Sequence, residues 1–217
     1  MRLESVNVGA EQIVGIGARQ VPTGIDKQPI ARAVIGPLGL EGDIVADVES
    51  HGGPDQAVYL YSREDYEWWE GELGHPLRAG SFGENLTLTS FGEAAVRIGD
   101  RFRVGGALLQ ATAPRIPCSV FATHLRERAW VKRFAAAERP GIYARVLEPG
   151  EVAAGDSVER LDSGGDEPEL LELFRVWYDP APPSETLERL LASPLAVRAR
   201  SDVEAKLARV RDGARSG

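Results

Sequence analysis

The chain has 217 residues, 43% hydrophobic and 27% charged, which is enough for one large core or a main domain with a small appendage and excludes disorder of the whole. A formal charge of −8, from 33 acidic residues against 25 Lys and Arg, supplies no global basic face, so a small ligand is the expected partner and a nucleic acid polymer is not. A single cysteine excludes an internal disulfide framework, and neither a signal-peptide run nor an apolar stretch of roughly 18 residues is visible, so a cytoplasmic protein without a membrane anchor is expected.

In chain order, VPTGIDKQP places Thr23, Gly24 and Lys27 in a turn between strand-like segments. A hydroxyl, backbone amides and an ammonium there could hold an anion, although TGxxK is much shorter than a phosphate-loop signature and an ordinary turn is the alternative. GDIVADVESHGGPDQAVYLYS then gathers Asp43, Asp47, His51 and Asp55 around Gly52-Gly53 before a strand. The histidine reads either as a ligand or base, or as a simple turn residue.

SREDYEWWEGELG predicts a helix over 62–74. Ser62 caps it, Asp65 stands three residues on as in a capping box, Tyr66, Trp69 and Leu73 share a face, and Gly74 ends it. SFGENLTL sets Phe82, Gly83, Glu84 and Asn85 in a second turn. In AVRIGDRFRVGGALLQAT, alternation at Val96, Ile98, Phe102 and Val104 predicts strands, with Gly105-Gly106 as the hairpin turn. Many short strands broken by 24 glycines predict a barrel or folded-over sheet.

APRIPCSVFA carries the lone thiol, Cys118, after Pro117 and three residues from Arg115. A free cysteine is more often a small buried hydrophobe. A nearby guanidinium and a following helix over VFATHLRERAWVKRFAAA, 120–137, both favour the thiolate, which is the nucleophile and the soft metal ligand. DSGGDEP reads as a linker, assigned to 163–168, after which the apolar period changes from two to 3.6. Stripes at Leu170, Leu173, Phe174 and Trp177, at Leu187, Leu190 and Leu191, and at Val203, Leu207 and Val210 predict three short helices in 169–217. Their apolar faces are expected to dock on the barrel or on a second subunit in a homodimer.

The order TGIDK, GLEGDIVADVESHGGPDQAVYLYS, AGSFGENLT, IGDRFRVG, PRIPC and GIYARVLEPGEVAAGD resembles the MOSC domain family, in particular its YiiM-type branch, over about residues 5 to 160. The resemblance implies a mainly β, α+β fold: a β-barrel related to that of pyruvate kinase over 1–162, followed by the linker and a three-helix module. It also implies binding of molybdenum cofactor (molybdopterin), with Cys118 as the protein thiolate on molybdenum. Thr23, Lys27, Arg115 and Arg145 become candidates for the pterin phosphate. Asp55 and Asn85 match polar pocket positions of catalytic type, and His51, Phe82 and Tyr143 complete the cofactor-binding set. The sequence departs from many relatives at Gln56, where they carry a basic residue, and at Ile142, where they carry an aromatic one.

The implied activity is reduction of N-hydroxylated compounds, such as hydroxylamino-purines, to amines. The chain has no flavin or nucleotide fingerprint and no iron–sulfur cysteine set, so a separate reductase is expected to supply electrons. Two alternatives accompany this reading. A Cys118 persulfide could carry sulfur to a metal centre, or the barrel could bind a cofactor or partner without turnover.

Overall fold

The computed structural model describes residues 1–127 and 129–215. Its strands are β1 (Leu3–Gly9), β2 (Gln12–Ile16), β3 (Arg19–Thr23), β4 (Lys27–Ile30), β5 (Arg32–Gly36), β6 (Gly39–Leu40), β7 (Val58–Ser62), β8 (Leu86–Leu88), β9 (Arg101–Val104), β10 (Ala107–Ala113), β11 (Ile142–Glu148), β12 (Gly150–Ala153) and β13 (Val158–Leu161). Its helices are α1 (Val48–His51), α2 (Arg63–Leu73), α3 (Ser119–Leu125), α4 (Trp130–Ala137), α5 (Leu170–Tyr178), α6 (Ser184–Ala192) and α7 (Val197–Arg215), with a 3-10 turn at Pro54–Gln56 between α1 and β7.

Eight strands form one sheet in the order β13-β9-β10-β11-β7-β8-β1-β4, while β12-β5-β6 and β2-β3 form two smaller ones. The large sheet is antiparallel except for the parallel pair β7 and β8. The β-barrel implied by the resemblance is therefore corrected to a sheet that is not closed. Strands β13 and β4 do not pair; the bridge Arg2↔Ser157 and hydrogen bonds from Leu3 N to Asp156 O, Gly155 N to Leu3 O and Val158 N to Met1 O join the start of β1 to the start of β13. Pro29 stands in the outermost strand, β4, where its missing N–H leaves one fewer ladder donor on an edge.

Period-two alternation in β7 divides the interior. Every residue of the strand is buried, but successive side chains must point to opposite faces. Val58 and Leu60 join an aliphatic core with Leu3, Val6, Leu86 and Phe102. Tyr59 and Tyr61 join an aromatic core with Trp69, Phe82, Phe121 and Trp130.

The helix expected over 62–74 is present as α2. Ser62 Oγ accepts from Asp65 N at 3.0 Å, and Gly74, at φ 75°, donates its N–H to Glu70 O. The single helix expected over 120–137 is instead two, α3 and α4, with Arg126 and Ala129 in the left-handed region at φ 55° and Arg128 outside the described residues. The break redirects the chain so that Trp130 and Phe134 meet Trp69, with ring centroids 4.6 and 6.1 Å away. Burying two aromatics outweighs the cost of two left-handed residues, about 1–3 kcal/mol each.

The last three apolar stripes lie on α5, α6 and α7. Leu173, Val176, Leu187, Leu190, Val203 and Leu207 pack together and onto Ile98, while Phe174 reaches the aromatic core. Residues 216 and 217 lie outside the described residues. The intervening 163–168 contains no regular element, yet Pro168 O accepts from Ile98 N and Glu167 O from Arg97 Nη1, which hold it against the sheet.

Candidate functional site

A cavity of about 380 Å³ opens where the 113–118 segment, the 51–57 turn and the end of β3 meet. That is the lower part of the range for small-molecule sites. Thr23, Lys27, His51, Asn85, Arg115, Cys118 and Tyr143 all line it, so the folded chain gathers residues up to 120 positions apart.

Two buried cations stand in its wall, and their surroundings differ. Lys27, 5% exposed, is ion-paired with Asp43, whose side chain is 3% exposed. Asp43 Oδ1 also accepts from Gly9 N at 2.7 Å and Oδ2 from Asn85 Nδ2 at 2.8 Å, so the carboxylate is held from three sides. Burial lowers the Lys27 pKa, and Asp43 opposes that shift. Arg115 is equally buried, but no carboxylate pairs with it among the described residues. Its guanidinium lies 5.0 Å from the Tyr59 ring centroid and 4.7 Å from that of Phe121. Nη1 donates to Tyr143 Oη at 3.0 Å, while Nε is buried without a partner. An uncompensated buried charge costs several kcal/mol, and an anion in the cavity would offset it.

Arg115, Tyr143 and His51 form a chain of polar contacts in the cavity wall. Tyr143 Oη accepts from Arg115 Nη1 and also lies 3.4 Å from His51 Nδ1. Burial, reinforced by Arg115, lowers the His51 pKa to about 3, so the imidazole is neutral near pH 7. Burial likewise raises the Tyr143 pKa. Cys118 occupies the N-cap of α3 in an extended conformation (φ −125°, ψ 174°) and its side chain is part-exposed.

Asn85 serves the scaffold as well as the cavity: its Oδ1 accepts from Tyr59 N at 3.1 Å, knotting β7 to the strand that follows residue 85. Thr23 Oγ1 accepts from Ile25 N at 3.2 Å, shaping the turn before β4. Phe82 lies behind the cavity, stacked on Tyr61 at 4.4 Å. Asp55 and Arg145 lie outside the lining: Arg145 Nε is 3.1 Å from Asp55 Oδ1, and both bind the segment that begins α7. Gln56 lines the cavity and Ile142 pairs with Leu60 inside the sheet.

Sequence reasoning did not find Asp43 as the Lys27 partner, nor the contribution of Trp177, Arg198, Asp202 and Lys206, which also line the cavity. The last three recur at i, i+4 and i+8, the spacing of a single helical face, and that was the available signal.

The molecule is thus an α+β sheet protein whose cavity is lined by its one thiol and by a buried guanidinium with no carboxylate partner among the described residues. The chain belongs to the MOSC domain family, whose model matches residues 47–159. It is 37% identical over 189 residues to YflK of Bacillus subtilis, covering 87% of this chain and 86% of that one. It is 32% identical over 130 residues to a Gibberella moniliformis protein named Reductase, covering 57% of this chain and 23% of that one. The crystal structure of YiiM from Geobacillus stearothermophilus superposes with a TM-score of 0.77 at 28% identity, over 95% of this chain and 98% of that one.

Proposed function

We propose that this protein reduces N-hydroxylated compounds to amines with molybdenum cofactor bound in the cavity. The observation that carries the reading is the unpaired, buried Arg115 beside Cys118 in one cavity. The donor set fits such a group. Among the described residues no three His, Cys, Asp or Glu side chains cluster to hold a bare metal ion, so a metal at Cys118 would need to arrive with ligands of its own, as a dithiolene-bound metal does. Bound there, the cofactor would supply two-electron redox chemistry that protein side chains lack.

In this reading Cys118 would hold the metal through its thiolate, with the rigid Pro114–Pro117 backbone fixing its position. Arg115, Lys27 and Thr23 would bind the anionic part of the cofactor by charge-assisted hydrogen bonds. Neutral His51, its Nδ1 facing the Tyr143 hydroxyl, would present an uncharged N–H donor. The balance of the reaction is R–NH–OH plus two electrons and two protons giving R–NH2 and water, with a separate reductase as electron source. Membership of the MOSC family and the relative named Reductase support a redox role.

The test compares molybdenum and pterin content of wild type and Cys118→Ala made in a cofactor-producing host. Near-stoichiometric metal in wild type, lost or labile in the variant, together with reduction of hydroxylamino-purine by a chemical reductant, is the expected result. Wild type that takes up neither metal nor pterin after reconstitution refutes the reading and favours persulfide chemistry at Cys118.

A further inference from the structure

The cavity is not walled by the sheet and its loops alone. Leu173, Val176 and Trp177 from α5 and Arg198, Asp202 and Lys206 from α7 form its far side. Two residues set where α7 starts. Val197 N donates to Asp55 Oδ2 at 3.0 Å, and Arg145 Nη2 donates to Pro194 O at 3.2 Å and Leu195 O at 3.0 Å. Thr112 contributes on both sides, donating its hydroxyl to Asp55 O at 2.6 Å and accepting at its carbonyl from Ala196 N at 3.2 Å. Further along, Lys206 Nζ donates to Asp179 O at 2.7 Å, tying α7 to the end of α5. The clasp therefore fastens α7 to the 54–56 turn, which follows the cavity-lining His51 after two glycines.

We propose that α5 and α7 form the selectivity wall of the site: Trp177, Arg198 and Asp202 hold the non-reacting part of the substrate, and Asp55 and Arg145 are positioning residues that set the wall's distance from the thiol. The wall combines an indole, aliphatic surface from Leu173 and Val176, a guanidinium and a carboxylate. A planar heterocycle bearing both hydrogen-bond donors and acceptors on its edge uses all of these. Its face lies on Trp177, its N–H groups reach Asp202, and its ring nitrogens or carbonyls reach Arg198. A compact aliphatic hydroxylamine uses none. This inference rests on the proposed reaction for its substrate, and its test separates the two.

Two measurements decide it. In cofactor-loaded full-length protein, Trp177→Ala and Asp202→Ala are compared with wild type on hydroxylamino-purine and on N-methylhydroxylamine. The expected result is a KM for the purine raised about 10-fold or more, the loss of roughly one good contact, with kcat changed far less, so that the kcat/KM ratio of purine to methylhydroxylamine falls at least about tenfold. Asp55→Asn is expected to shift the same ratio in the same direction and to speed amide exchange in the first turn of α7. An unchanged ratio in all three variants overturns the wall. Equal loss on both substrates also overturns it, since damage to the fold or the cofactor does not discriminate. The second measurement is calorimetric binding of adenine to cofactor-free protein, weakened about tenfold or more by Trp177→Ala. Wild type that fails to bind adenine overturns the wall whatever its activity. Wild type that binds adenine but reduces no N-hydroxylated compound overturns only the proposed reaction.

Discussion

Replacing Arg115 by Met removes the guanidinium and keeps most of the stem that packs against Tyr59 and Phe121. Lost with it are two ring contacts worth about 0.5–2 kcal/mol each and the bond to Tyr143, about 1.5–3 kcal/mol for a charged donor. Relieved is the burial of a charge with no carboxylate partner, which costs several kcal/mol. These nearly cancel, so ligand-free Arg115→Met is expected to melt within about 4 °C of wild type, the shift that 1 kcal/mol produces in a chain of this size. Anion binding does not cancel, because loss of a charge-assisted contact of about 2 kcal/mol weakens it about 30-fold. The assay is a thermal-melt titration with inorganic phosphate at constant ionic strength. At a phosphate concentration 100 times the wild-type Kd, wild type gains about 2.7 kcal/mol, and a variant bound 30-fold more weakly gains about 0.9 kcal/mol. Equal phosphate stabilisation of the two proteins, or a ligand-free variant destabilised by more than about 3 kcal/mol, would refute the assignment and make Arg115 a structural residue.

Asp43→Asn leaves Lys27 buried without its carboxylate and is expected to cost about 3–5 kcal/mol in urea unfolding, with partial recovery on adding Lys27→Met. His51, with a folded pKa near 3 against 6.5 unfolded, takes up its proton in the unfolded chain first. Its contribution therefore favours folding above about pH 6.5 and is lost on acidification toward pH 3, by up to about 1.4 kcal/mol per pH unit within that window; His51→Gln is expected to flatten the wild-type stability slope between pH 6 and 4. Trp130→Ala, in the aromatic core, is expected to lower stability by about 3–5 kcal/mol in the same unfolding assay. Gly24→Ala would set a Cβ 2.0 Å from Ile44 O; the backbone must move, and a loss of at least about 1–3 kcal/mol with weaker phosphate binding is the expected outcome.

The parts legible in the sequence were those decided locally. The Ser62 cap, the Gly74 stop and the Gly105 turn are each settled by residues within four positions, and the structure has all three. The break at Arg126 was not legible, because the apolar stripe runs through it and only the distant Trp69 explains why the helix yields. Sheet closure was equally non-local: strand patterns show which segments extend, but not that β4 and β13 stop short of pairing. Asp55 and Arg145 show the limit most clearly. Their residue types fit a polar pocket, yet their partners lie 142 and about 50 positions away, at the start of α7. No spacing rule reaches so far.

The contrast between the two buried cations bears on how the site works. Lys27 is neutralised by Asp43 inside the fold, so the pair together adds no net charge to the cavity. Arg115 has no carboxylate partner among the described residues, and it stands in a chain of net charge −8. Long-range attraction of an anion by this protein is therefore weak, and the overall field opposes it. Selection has to occur at short range, where the low dielectric of a buried site strengthens the attraction and salt screens it little. Phosphate affinity measured at different ionic strengths is accordingly expected to vary far less than it would for a surface basic patch. A steep fall with salt would place the recognising charge at the surface, with the α7 arginines rather than Arg115.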